Sequence, residues 1–206
     1  MALFLPTYFS PISQYIEIVK ADKILFEFED NFQKQTYRNR CYIYGANGKQ
    51  LLNIPVKHLG NGKKTKTKDT KIDNTYPWQI HHLKSIQAAY SNSPFFEFYQ
   101  DDLLPVFTKK YKFLLDVNID THLFLMDALQ LPYNYTKTTE YLLKPTKDFR
   151  FLANAKLTPT INLDNYIQIF DDKHGFLSNL SMLDLLFMEG TNVTNYLENN
   201  TLSLKE

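Results

Sequence analysis

Residues 27–40, EFEDNFQKQTYRNR, crowd Glu27, Glu29 and Asp30 against Lys34, Arg38 and Arg40, with Gln33, Gln35 and Asn39 interleaved. An arginine presents a fixed fork of donors that matches a carboxylate or phosphate. Arg38 and Arg40 stand two apart, and on an extended backbone such residues share a face. Read that way, the pair converges on one anion. Gln33 and Asn39 add amides that can orient a polar acceptor, and Glu29 or His81 can serve as acid/base. A second reading is open from the same residues. Arg38 and Arg40 can pair with Glu27, Glu29 and Asp30 and clamp a loop onto a sheet.

The flanking segments must position this cluster. The apolar run at residues 2–6, halted by Pro6, reads as a buried strand. SPISQYIEIVKA follows, with Ser10 as a possible cap, Pro11 at the first helical position and an apolar stripe of Ile12, Tyr15, Ile16 and Val19. DKILFEF is strand-like again. Strand, helix and strand make a βαβ unit with parallel strands. The acids then lie at or past the carboxyl end of the second strand, where open parallel sheets bind ligands. RCYIYGANGKQLLNIPV reads as a hairpin around Gly45, Ala46, Asn47 and Gly48, and DTKID as a short further strand.

Helical spacing of Trp78, Ile80, Leu83, Ile86 and Tyr90 follows Pro77. A second helix is expected to be interrupted or kinked at Pro105, and a third to span 116–131. TKTTEYLLKPTKDFRFLANAK reads as a mixed connector. A last helix is capped by Ser181, with Asp184 as a capping-box analogue and Gly190 at its end. The expected fold class is α/β: an N-terminal βαβ unit with an added β-hairpin, followed by a mainly helical C-terminal half. A single domain spans 1–206, with 1–75 mainly sheet-forming and 76–206 mainly helical.

The totals set bounds. The 206 residues carry a formal net charge of +1, which gives no global field to recruit nucleic acid or membrane. The basic run at 60–71, GNGKKTKTKDTK, has no hydrophobic period and reads as a mobile loop. One cysteine, Cys41, excludes an internal disulfide and reads as a buried thiol. No leader or bilayer-length apolar stretch is visible, so the expectation is a cytoplasmic protein with no membrane insertion. His58, His81, His82, His122 and His174 show no HxxxH or HExxH spacing, so no metal and no cofactor is expected. GxGxxG, Walker A, GxSxG and kinase signatures are absent. Sixteen Phe and fourteen Tyr suggest either polar-ligand clefts or an aromatic core.

PTYFSPISQYIEIVKAD and EDNFQKQTYRNRCYIYGANG, with the later WQIHHLKSIQAAYSNSPFFEFYQDDL and FLSNLSMLDLLFMEG, resemble WbqC-like proteins over nearly the whole chain. The string QKQTYRNRCYI resembles in particular the branch found in Bacteroidetes. Some members of that family lie in O-antigen or other surface-polysaccharide clusters, and transfer of glycine to a sugar has been proposed. The resemblance therefore implies a transferase that moves glycine or another aminoacyl or acyl group to an amino sugar. The alternative is a non-catalytic ligand-binding or scaffold protein of envelope biogenesis. The residues that match the family's polar motif are Gln33, Lys34, Tyr37, Arg38, Asn39 and Arg40. With Tyr8 they are the expected substrate-binding set, with Glu29 and His81 as catalytic candidates. The expected partner is a small polar or anionic ligand: a sugar, a nucleotide or an amino acid.

Overall fold

The computed structural model describes residues 1–57, 64–156 and 163–202. Two short buried strands, β1 (Ala2–Phe4) and β2 (Ile24–Phe26), pair in parallel around helix α1 (Ile12–Val19). This is the βαβ unit expected from the alternation of apolar runs. Pro11 is the residue before α1 and not its first member, and Ser10 does not cap it. The Ser10 hydroxyl is instead engaged with Thr7 Oγ1 at 2.6 Å, and the Ile12 N–H donates to the Leu180 carbonyl at 3.0 Å. The helix end is thus satisfied by tertiary contacts.

The connector after the central helices contains a third parallel strand, β5 (Tyr135–Lys137), which pairs with β2. On the other edge, Leu3 makes a parallel bridge to Asp148, with the Phe149 N–H donating to the Leu3 carbonyl at 2.9 Å. Neither addition has a hydrophobic run of strand length, so local periodicity could not announce them. A separate antiparallel hairpin joins β3 (Arg40–Gly45) to β4 (Gly48–Asn53). Gly48, at φ +93°, takes the left-handed conformation that closes this turn. DTKID forms no strand. Its start lies in a single 3₁₀ turn, Thr67–Asp69, and its end makes only isolated bridges from Lys71 and Ile72.

The helices α2 (Trp78–Tyr90), α3 (Phe96–Thr108) and α4 (Leu114–Ala128) follow. Pro105 does not interrupt α3. It lies in the last turn, where only one ladder bond is forfeited. The short α5 (Asp171–His174) and α7 (Val193–Asn199) flank α6 (Met182–Glu189). Ser181 Oγ accepts from the Leu183 N–H, the expected cap, and Gly190 ends α6 at φ +54°. A side chain at Gly190 would strike the Phe95 ring at about 2.5 Å.

The tyrosines resolve toward the core. Tyr8, Tyr15, Tyr44 and Tyr90 are fully buried, and each hydroxyl is hydrogen-bonded. A buried phenol needs such a partner to offset its desolvation.

Candidate functional site

The sheet determines where a cleft can form. Leu5 follows β1, Glu29 and Asp30 follow β2, Tyr141 follows β5, and Arg150 and Phe151 follow the Asp148 bridge. All of them line one cavity of about 730 Å³, joined by Gln33, Arg38 and Asn154. Parallel strands end side by side, so the segments leaving them surround a common crevice.

Below the cleft lies Glu27, fully buried at the end of β2. Its carboxylate accepts from Thr138 Oγ1 at 2.6 Å, from the Leu142 N–H at 2.9 Å and from the Glu29 N–H at 3.0 Å. Arg150 Nη1 approaches it at 3.5 Å, while Arg150 Nη2 grips Asp148 at 2.6 Å. Glu27 thus ties β2 to the segments after β5 and after the bridge. The Arg150 guanidinium also stacks over the Tyr141 ring at 4.7 Å.

Arg38 is buried and bound to Asp30 through Nε at 3.0 Å and Nη2 at 2.5 Å, while Nη1 donates to Thr36 Oγ1 at 3.1 Å. Burial pushes the Asp30 carboxyl up, with Arg38 pulling against it. Glu29 is gripped by Lys66 and Lys68. Those two lysines hold its carboxyl below the usual range, so it is an anion at neutral pH and badly suited to donate a proton. The run 60–71 is therefore not free where it is described. The Thr67 N–H donates to the Asp30 carbonyl at 3.0 Å, and the Phe32 N–H to Thr65 at 2.8 Å. Residues 60–63 of that run, and His58, lie outside the described residues.

Arg38 and Arg40 do not share a face. Residues 34–39 are turns and bends, not extended chain, and the Asn39 N–H closes onto the Thr36 carbonyl at 3.3 Å. The i, i+2 rule requires a strand, and the strand begins only at Arg40. Lys34, Asn39 and Arg40 line a second, smaller cavity of about 320 Å³. Tyr37 and Tyr8 are in the interior. Tyr37 packs edge-on against Tyr42, and the Tyr8 hydroxyl meets His82 Nδ1 at 2.9 Å. His81 is exposed on α2, stacked on Tyr76 at 4.9 Å, and lines neither of these cavities but another, of about 550 Å³, beside the hairpin turn. Of the nine candidates, Glu29, Gln33 and Arg38 meet in the large cleft.

Tyr141, Asp148, Arg150, Phe151 and Asn154 are cleft residues that the sequence did not single out. The polar KDFR string at 147–150 was a usable signal only once its bridge to β1 was known.

Charge in the large cleft is balanced internally. Arg38 answers Asp30, Arg150 answers Asp148, and Glu29 is answered from outside by lysines. Such a cavity suits hydroxyls, amides and zwitterions better than a bare phosphate, because each fork already holds its carboxylate. Among the described residues, no three His, Cys, Asp or Glu gather as a metal site, and no helix is long and apolar enough to cross a membrane. Cys41 is buried, which pushes its thiol up and away from reactivity.

No curated protein and no solved structure matches the chain. A family model does match, from residue 6 to residue 170, and takes in α1, the hairpin, helices α2 to α4 and the cleft residues from Glu29 to Asn154. By that match, the chain belongs to the WbqC-like protein family.

Proposed function

We propose that the protein binds an amino sugar, or a sugar of similar polarity, in the large cleft and acts in surface-polysaccharide or O-antigen synthesis. The reaction proposed is transfer of glycine or another aminoacyl or acyl group to the sugar. One observation supports the ligand class above the rest: the cleft joins the apolar walls of Tyr141 and Phe151 to Gln33, Asn154 and Asp148, while its arginines are internally paired. Apolar walls with a few oriented polar groups are the usual recipe for a small-molecule site. Asp148 and Glu29 would accept from an amine or hydroxyls, and Gln33 and Asn154 would read hydroxyls in either sense.

The second reading is binding without catalysis. It is favoured by Glu29 being held as an anion by two lysines, while His81 does not line the cleft. Thermal unfolding with amino sugars, nucleotide sugars and amino acids tests the ligand class. A ligand at 100 times its Kd stabilises by about 2.7 kcal/mol. The expected result is a shift with an amino sugar that Gln33→Ala and Tyr141→Ala reduce. Shifts with none of the sugars, or shifts indifferent to both substitutions, would remove the proposal. Radiolabelled glycine, supplied in activated form with the best sugar, separates transfer from mere binding.

A further inference from the structure

The segment 29–40 has two sides. Glu29, Asp30, Asn31, Gln33 and Arg38 face the large cleft, while Phe32, Lys34, Gln35, Asn39 and Arg40 face the smaller cavity beside β4. No residue is shared between the two. Their electrostatics differ as well. The large cleft has a carboxylate on each arginine. The smaller cavity is lined by Lys34 and Arg40 and by no acid, and Arg40 makes no ion pair among the described residues.

One further observation points to an anion here: among the described residues, Arg40 Nε is buried with no hydrogen-bond partner. Buried polar atoms without partners are uncommon, and a charged donor left this way is costly. Phe32, Pro55 and Val56 give the cavity an apolar wall.

We infer that this smaller cavity is an oxyanion site, distinct from the large cleft, which takes the phosphate or carboxylate of a small molecule on Arg40 and Lys34. The guanidinium is held at the first residue of β3, so its fork is presented from a rigid element. Lys34 is exposed and closes over the anion as a point charge. The site stands whether or not the large cleft binds a sugar.

The test uses the full chain at constant ionic strength, titrated separately with inorganic phosphate and with acetate and followed by ¹⁵N amide shifts. Saturable shifts at residues 34–40, 53, 54 and 56 with at least one probe are expected. Phosphate alone would identify phosphate esters as the source, acetate alone carboxylates, and both would show that the site reads charge. Arg40→Gln should weaken binding at least 10-fold, and Lys34→Gln about 3-fold. Lys84→Gln, which removes an exposed charge from α2, should change nothing. If Arg40→Gln does not fold, Lys34→Gln decides the matter, because that side chain is exposed. Absence of saturation with both probes, or binding equal in wild type and Lys34→Gln, overturns the inference.

Discussion

Asp30 and Asp184 are both buried aspartates, and they are neutralised in opposite ways. Asp184, on α6, makes no ion pair among the described residues. It accepts from the Tyr90 and Tyr166 hydroxyls at 2.6 Å each and from Gln168 Nε2 at 3.0 Å. Burial pushes its carboxyl up, and these neutral donors oppose that. Tyr90 in turn accepts from the Tyr44 N–H at 2.9 Å, so one carboxylate joins α2, α6, β3 and the segment at 166–168. Asp30 instead takes a guanidinium and sits at the rim of an open cavity. Three neutral donors from separate segments make a staple that only the assembled fold can supply. A charge pair from residues eight apart makes a local brace for one loop, and leaves its outer surface available to a ligand. The contrast also corrects the capping-box role for Asp184: its oxygens are consumed by tertiary partners, and Ser181 caps α6 alone.

The comparison breaks most readily at Asp184. Asp184→Ala leaves two buried phenols without an acceptor and takes one of three from the Gln168 amide, and should cost about 3–5 kcal/mol of stability, read from urea midpoints. A loss under about 1 kcal/mol would mean that the network is incidental.

Acid sharpens the same point through the histidines. Burial lowers His82 and His122 to about 4, and each meets a tyrosine hydroxyl through Nδ1. The unfolded chain takes up these protons near pH 6.5 and the folded chain refuses them until about 4. Stability present above pH 6.5 should therefore fall as pH drops toward 4, by about 3 kcal/mol per histidine. Denaturant midpoints across that window check it, and His122→Gln should flatten the slope.

Arg38→Lys tests the brace. Lysine keeps the charge but cannot reproduce two bonds to Asp30 and one to Thr36, so a loss of about 2 kcal/mol is expected without any ligand. An unchanged melting temperature, with ligand affinity reduced, would return Arg38 to a purely ligand-binding role.

The smallest effect on stability belongs to Gln33→Ala. Gln33 is exposed and lines the cleft, so stability should change by no more than about 0.5 kcal/mol while sugar binding weakens. A large loss of stability would place Gln33 with the brace instead.

Local chemistry alone determined much of this molecule. Apolar runs and Pro6 marked β1, helical spacing marked α2, Gly45 and Gly48 marked the hairpin, and Ser181 and Gly190 bounded α6. The crowding of acids and arginines after β2 lies at the end of the sheet where the cleft opens. Each of these rests on forces within a few residues, which a sequence displays directly. What the chain could not display was pairing across distance. Whether residues 34–39 ran extended or turned decided that Arg38 and Arg40 would part company, and that turn is held by the Tyr37 N–H on Ala153 and by Asn118 on the Arg38 carbonyl. The far wall of the cleft, Tyr141 to Asn154, was placed by a three-residue strand and a single bridge, with its stability supplied by neighbours more than a hundred positions away. Tertiary structure decided the site because its walls have no local pattern of their own: each is fixed by hydrogen bonds to a strand end, and only folding brings those ends side by side.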